Sequence, residues 1–164
     1  MLSDLTRFPR APFAAALIFA LGLVTTGVLL SEFMRLAACP LCIVQRMLYL
    51  LVALLALVGI AVAKTFGRRI VAAAMTVVAG AGMFVGGYQS WIQRFAQDTS
   101  CSGRPTWWED LVDWAGHQAP ILFRADGLCS DPGWKFLGLS IAEWSLVCFT
   151  LLFLLSAYTV LRKR

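Results

Sequence analysis

Four long apolar segments limit what this 164-residue chain can fold into. They cover residues 12–31, 43–63, 70–90 and 144–161, and none of them contains more than one charged residue. A helix needs about 20 apolar residues to cross the roughly 30 Å hydrocarbon core of a bilayer. Four strands could not close a barrel, and an open sheet edge cannot face lipid. The sequence therefore predicts an all-α membrane protein, a single four-helix transmembrane bundle over residues 1–164.

Charged residues are unevenly distributed among the segments that join the spans. The two tails and the short middle connection together carry eight Lys or Arg residues and one acid, whereas the other two loops carry eight acids. Because segments rich in Lys and Arg remain in the cytoplasm, both termini are predicted to be cytoplasmic. The loops over residues 32–42 and 91–143 are then on the outer side. The net charge of +5 reflects this asymmetry, so no nucleic-acid partner is expected.

The second outer loop contains a stretch with helical periodicity. Residues 106–115 place Trp107, Trp108, Leu111 and Trp114 at helical spacing, with acidic residues beside them. Tryptophan favours the headgroup level of a bilayer, where its ring is buried and its N–H stays hydrated. This pattern predicts a short helix lying in the membrane interface. A loop that packs on the bundle is the alternative.

Two features near the N-terminus resemble processing signals. The basic start and first apolar run are similar to a signal peptide, but the run is long and no good small-residue cleavage site follows it. Residues 36–39 resemble a lipoprotein cleavage box, but Glu32 and Arg35 separate that box from the apolar run. We therefore expect the first apolar run to remain as a membrane span.

Four of the five cysteines lie in the predicted outer loops. Cys39 and Cys42 form a C-x-x-C motif at the start of the second span, and Cys101 and Cys129 lie in the long loop. Disulfides form and persist on this side of a membrane. The C-x-x-C ring is too small to contribute much entropic stabilisation, which favours a redox role, whereas Cys101–Cys129 alone would more often be structural. Cys148, inside the fourth span, is interpreted as a small buried hydrophobe.

A zinc site is another possible interpretation of a C-x-x-C motif. Such a site needs four convergent ligands, usually from a second C-x-x-C or a histidine pair. The sequence contains neither, and its one histidine, His117, is isolated in the second outer loop. We therefore expect no metal site.

Arg46 is the single charged residue inside a predicted span. It follows Cys42 by four positions, so the two side chains share one helix face. Cys42 also lies at a helix N-terminus, where the macrodipole favours an anion. Both effects favour the reactive thiolate. An intramembrane arginine usually marks a functional site, although extension to the headgroups is the alternative.

Taken together, these features resemble the disulfide bond formation protein B (DsbB) family. The matching elements are the four spans, the motif Cys39-Pro40-Leu41-Cys42, the Gln45-Arg46 step, Cys101, Cys129 and residues 134–139. Gln45 is a departure, because many members carry an acid there. The resemblance implies an enzyme of the bacterial inner membrane, a thiol:quinone oxidoreductase that drives protein disulfide formation. It places the redox cysteines in the periplasm.

The resemblance also implies a relay through four catalytic cysteines. A reduced periplasmic DsbA-like oxidase of the thioredoxin fold attacks the disulfide between Cys101 and Cys129, at Cys101. Cys129 then exchanges with Cys39, which leaves Cys42 as a thiolate beside Arg46.

A membrane quinone close to Cys42 is the electron acceptor that the resemblance implies. Ubiquinone is favoured over menaquinone, and Cys42 and Arg46 are the expected contacts. The end of the third span also belongs to the expected quinone site, although its sequence varies within the family. Gln89 or Arg94 is the candidate there for contact with the quinone. A monomer in the lipid bilayer is expected.

Two alternatives to this function remain. The first is a paralogue dedicated to one specific oxidase partner. The second is a non-enzymatic four-span scaffold whose cysteines are structural. The scaffold hypothesis predicts that Cys101→Ser only lowers stability, whereas the enzyme hypothesis predicts loss of turnover.

Overall fold

Four long helices form the protein, and each is long and apolar enough to cross a membrane. The computed structural model describes residues 10–63, 67–95 and 107–162. The long helices are α1 (Ala11–Met34), α2 (Pro40–Val62), α3 (Gly67–Phe95) and α6 (Ile141–Leu161). The predicted all-α four-helix bundle is confirmed. All four helices begin before the predicted spans. Hydropathy marks only the apolar stretch, and at α2 and α6 a capping side chain precedes it.

The N-terminus of α6 illustrates such a start. Ser140 Oγ accepts a hydrogen bond from the backbone N–H of Glu143 at 3.3 Å, and Glu143 Oε2 accepts from Ser140 N at 2.8 Å. This reciprocal capping box satisfies two backbone donors that the helix itself leaves unpaired. The helix therefore begins at Ile141, three residues before the predicted span.

Long helices that are consecutive in the chain pack side by side. α1 packs on α2, α2 on α3, and α3 most extensively on α6, whereas α1 and α6 meet only sparsely. The core between them is rich in alanine, and two glycines accommodate phenylalanine rings. A Cβ on Gly59 would lie 2.2 Å from Phe13 Cδ1, and one on Gly82 would lie 2.3 Å from Phe149 Cδ1. Small residues thus allow close helix packing, while the sparse α1–α6 contact leaves room for a cavity.

The described part of the second loop contains two short helices and a hairpin. α4 (Trp107–Gln118) confirms the predicted short helix and is followed by α5 (Pro120–Phe123). An antiparallel hairpin of β1 (Lys135–Phe136) and β2 (Leu139–Ser140) then leads into α6. The sequence did not predict this hairpin, whose two turn residues have positive φ angles of 53° at Leu137 and 80° at Gly138. Such angles match the strand twist of a two-residue hairpin.

Candidate functional site

The C-x-x-C motif forms the N-terminus of α2. Cys39 is the N-cap residue in an extended conformation, and Pro40 occupies the first helical position, where its missing N–H costs nothing. Cys39 Sγ accepts a hydrogen bond from the backbone N–H of Cys42 at 3.4 Å. The two sulfurs, both free thiols, are 3.0 Å apart. The helix N-terminus thus holds the pair where a small movement could join the sulfurs in a disulfide, whose S–S bond is about 2.05 Å.

The second loop is fixed to the first by backbone hydrogen bonds. The N–H groups of Asp126 and Gly127 both donate to Ala38 O at 3.0 Å. A Cβ at Gly127 would lie 2.3 Å from Ala37 O, so only glycine permits this approach of the two backbones. Cys129 is consequently buried in one cluster with Cys39. The structure therefore brings together three of the four predicted catalytic cysteines, while Cys101 lies outside the described residues.

The pKa values of the two loop-side thiols, Cys39 and Cys129, are shifted in opposite directions. A hydrogen bond from Cys39 lowers the pKa of the Cys129 thiol. The same contact, with the hydrogen bond to Cys42 and burial, raises the pKa of Cys39. A thiol that donates hydrogen bonds to neighbouring sulfurs stabilises their thiolate forms. The pKa of each neighbour falls, and the pKa of the donor rises. Cys39 is thus the shared proton donor of the cluster, and Cys129 is the more readily ionised of these two.

Gln89 in α3 contacts the cysteine pair directly. Its Nε2 donates to Cys42 Sγ at 3.1 Å and to Cys39 Sγ at 3.2 Å. Its Oε1 accepts a hydrogen bond from Gln45 Nε2 at 2.8 Å. Both glutamines are buried, with 4% of Gln45 and 2% of Gln89 exposed. The structure thus places Gln89, which the sequence proposed as a quinone contact, against the sulfurs.

The Arg46 guanidinium is held by acceptors from two other elements. It donates to Gly27 O at 3.1 Å and to Ser31 Oγ at 2.6 Å, both in α1. It also donates to Leu122 O of α5 at 3.1 Å. These contacts hold the side chain within the protein instead of extending it away from the bundle. All three acceptors are neutral, so none of them cancels the positive charge.

A cavity of about 440 Å³ lies where α1 and α6 diverge. Cys42, Gln45, Arg46 and Tyr49 of α2 line it together with Gln89. Its other walls are mostly apolar side chains of α1, α6 and both outer loops, with Arg35 and Asp131 as further charged residues. Its volume falls within the roughly 300–1,000 Å³ typical of small-molecule sites. A redox sulfur and a guanidinium therefore face one largely apolar space.

Two other residues singled out in the sequence occupy different positions. Arg94 pairs with Glu143, its Nε donating to Glu143 Oε1 at 2.7 Å, and it is not among the residues that line the cavity. Cys148 is only partly buried, and it lines the cavity as well as packing on the core. Cys148 was interpreted as a small buried hydrophobe; it packs on the core but is only partly buried, because the sparse α1–α6 contact exposes its side of α6.

Sequence reasoning missed several residues that build the site. Ser31 and Tyr49 are polar residues within apolar spans, and this feature could have identified them as site residues. Tyr49 Oη contacts Ser145 Oγ at 2.9 Å, and its ring stacks on Phe149 at 4.0 Å. Gly127, which permits the loop contact, had no distinguishing signal in the sequence.

Four membrane-length helices with clustered thiols beside an apolar cavity are typical of a membrane protein with a thiol redox role. The family model described as "Disulfide bond formation protein DsbB" matches residues 9–159. The chain therefore belongs to the DsbB family of multi-pass membrane proteins for disulfide bond formation.

Similar proteins support this assignment, and each is named "Disulfide bond formation protein B". The relative from Dechloromonas aromatica is 39% identical, covering 85% of this chain and 85% of the relative. The relative from Nitrosospira multiformis is 34% identical, covering 98% and 96%. The relative from Aromatoleum aromaticum is 36% identical, covering 94% of each chain.

Proposed function

We propose that this protein is a thiol:quinone oxidoreductase. It re-oxidises a periplasmic DsbA-like dithiol oxidase and passes two electrons to a membrane quinone. The observation that carries the proposal is the position of Cys42. Its sulfur belongs to the thiol cluster with Cys39 and also faces the apolar cavity beside Arg46. A residue at this junction can receive electrons from the loop and deliver them to a lipophilic acceptor.

The first half of the reaction is a series of thiol–disulfide exchanges. A thiolate of the reduced oxidase attacks Cys101, forms a mixed disulfide and releases Cys129 as a thiolate. Cys129 attacks Cys39 in the Cys39–Cys42 disulfide, which releases Cys42 as a thiolate. The second thiol of the oxidase then resolves the mixed disulfide and frees Cys101.

The exchanges end with the transfer of electrons to the C-x-x-C pair. Cys101 attacks Cys129, re-forms their disulfide and leaves Cys39 reduced. The net result is one oxidised partner and a reduced pair of Cys39 and Cys42. The second loop must move during this sequence, because Cys129 meets Cys101 and Cys39 in turn.

The cavity residues suit the second half of the reaction. A bound quinone supplies a two-electron, two-proton acceptor. Arg46 presents a positive charge to the cavity, suited to an electron-rich carbonyl oxygen, and the apolar walls exclude water and suit a hydrophobic tail. Cys42 and Arg46 are the assigned contacts, and ubiquinone is favoured over menaquinone.

The proposed orientation has both termini in the cytoplasm and both cysteine-bearing loops in the periplasm. The faces of α4 support an interfacial position for this helix. Trp107, Leu111 and Trp114 are exposed, whereas Val112 and Ala115 are buried against the protein. An exposed aromatic face next to a membrane bundle suits the headgroup region of a bilayer.

The decisive experiment mixes the purified protein with a reduced DsbA-like oxidase and follows quinone absorbance. Parallel arms contain ubiquinone or menaquinone analogues. We expect quinone reduction that depends on the oxidase, that is lost in Cys101→Ser and that is faster with ubiquinone. In a separate arm with the oxidised oxidase, Cys129→Ser should accumulate a mixed disulfide on a non-reducing gel, because Cys101 attacks the disulfide of the oxidase and Cys129 is absent and cannot resolve the product. Absence of quinone reduction by folded wild-type protein would refute the proposal, and serine variants that only lose thermal stability would favour a scaffold.

A further inference from the structure

Two buried glutamines from neighbouring helices form a hydrogen-bonded pair against the redox sulfurs. The carboxamide of Gln89 has two N–H donors, and the sulfurs of Cys42 and Cys39 lie 3.1 and 3.2 Å from its nitrogen. Its oxygen accepts from Gln45 Nε2 at 2.8 Å. Each polar group of this carboxamide therefore has a defined partner, and the donors are directed at the atoms that react.

The contact with Gln45 matches the orientation in which the Gln89 nitrogen faces the sulfurs. A carboxamide can rotate by half a turn, which exchanges its donor and acceptor ends. Rotation of Gln89 alone, with Gln45 kept as observed, would bring the NH₂ groups of Gln45 and Gln89 together and turn an oxygen towards the sulfur lone pairs. Because both side chains are buried, bulk water cannot compensate for the lost hydrogen bonds. The Gln45 donor thus disfavours the reversed orientation.

We propose that Gln89 is a catalytic hydrogen-bond donor that stabilises the reduced Cys39–Cys42 pair, and that Gln45 is a positioning residue that acts through it. This inference rests on the proposed function, in which the pair cycles between disulfide and dithiol. It changes the role of Gln89 from a quinone contact to a determinant of how strongly the pair oxidises.

The chemical basis is the difference between the two redox states of the sulfurs. Reduction breaks the Cys39–Cys42 bond and adds two electrons, with a proton on Cys39 and negative charge on Cys42. Disulfide sulfurs are weak hydrogen-bond acceptors, whereas a hydrogen bond to an ionised group is roughly twice as strong as a neutral one. Gln89 therefore binds the reduced state more tightly. Stabilising the reduced state makes a disulfide a stronger oxidant.

The test measures the redox equilibrium of this pair in isolation. All variants carry Cys101→Ser and Cys129→Ser, and the detergent-purified protein is freed of quinone. Glutathione is the reference: two thiols reduce the pair and become one glutathione disulfide. The reduced fraction of the pair is read by alkylation and peptide mass spectrometry. Partner and quinone are absent, so this result is independent of whether the quinone-reduction assay succeeds.

We expect Gln89→Leu to lower the equilibrium constant for reduction at least tenfold, which is about 30 mV for a two-electron couple. Gln45→Leu should lower it less, because the Gln89 donor remains but loses its fixed orientation. In the double variant, the value should equal that of Gln89→Leu alone, since Gln45 acts only through Gln89. Gln93→Leu is the matched control, one helical turn along α3, where the amide donates to Asp131 O.

The outcomes separate the two roles. An equilibrium constant for Gln89→Leu that stays within about twofold of the parent overturns the donor role, and so does an equal shift in Gln93→Leu. Additive effects in the double variant overturn the positioning role of Gln45. Because the double variant removes both partners, it leaves neither amide unsatisfied, and it remains informative if Gln89→Leu alone fails to fold. Alkylation of Cys42 as a function of pH gives a second measurement: its midpoint should move to higher pH in Gln89→Leu.

Discussion

Replacement of Arg46 by alanine should separate the two halves of the proposed reaction. The guanidinium contacts Gly27 O, Ser31 Oγ and Leu122 O, and none of these acceptors is charged. Its charge therefore remains available to a ligand in the cavity it lines. The thiol cluster of Cys39 and Cys129 lies on the loop side and contains no contact with this guanidinium among the described hydrogen bonds. We expect Arg46→Ala to impair quinone use and to preserve oxidation of the partner in the first turnover.

The magnitude follows from the interaction that is lost. A hydrogen bond to a charged group contributes about 1.5–3 kcal/mol, which corresponds to roughly a 10- to 100-fold increase in the KM for quinone. Arg46→Lys keeps the charge, but one ammonium cannot reproduce the planar fork that reaches both α1 and α5. We therefore expect its KM to fall between those of the parent and Arg46→Ala. Ser31→Ala, which removes the 2.6 Å contact and leaves the charge, should have a smaller effect.

The assay has two parts. Quinone-free protein is mixed with reduced oxidase, and the yield of oxidised partner in one turnover is measured; steady-state rates at varied quinone concentration then give KM and kcat. Arg94→Ala is the matched control, because Arg94 pairs with Glu143 and does not line the cavity. Loss of the first turnover in folded Arg46→Ala would refute the reasoning, and so would an equal rise in KM for Arg94→Ala.

Two further predictions concern the contact between the loops. Gly127→Ala should slow exchange between Cys129 and Cys39 by about 10²-fold, because its Cβ would lie 2.3 Å from Ala37 O and displace the loop. Rapid alkylation quench measures this rate. Gly87→Ala, which places nothing within 4 Å of the new Cβ, should leave the rate unchanged. Cys39→Ala should shift the pH profile of Cys129 alkylation in the reduced protein to higher pH, because the hydrogen bond that lowers the Cys129 pKa is removed. A profile that stays in place would show that Cys39 does not stabilise the Cys129 thiolate.

Properties that depend on neighbours along the chain could be predicted from the sequence. The spans followed from the length of each apolar run, and α4 followed from the spacing of its tryptophans. The same local reasoning placed Cys42 and Arg46 on one face of α2. The hairpin before α6 could not be predicted in this way, because Leu137 adopts a positive φ that its side chain disfavours.

Contacts between distant parts of the chain could not be predicted from the sequence. Cys129 is next to Cys39 because two backbone N–H groups bind Ala38 O, and backbone groups carry no sequence signal. A buried polar residue in a membrane helix indicates that some partner exists, but the packing of α2 on α3 decides which partner it is. Gln89 was named from the family resemblance as a candidate quinone contact, and its contact with the sulfurs depends on how the two helices are rotated.

The amide at position 45 links these observations. A carboxylate there could not donate to Gln89 Oε1; it would accept from Gln89 Nε2 and leave the carboxamide oxygen facing the sulfurs. It would also place an acid next to Arg46 in the chain and reduce the charge available to the cavity. With glutamine, Gln45 directs the Gln89 donors at the cysteine pair, and Arg46 keeps its neutral partners. Glutamine at position 45 therefore suits both the thiol side and the cavity side of Cys42 in the proposed reaction.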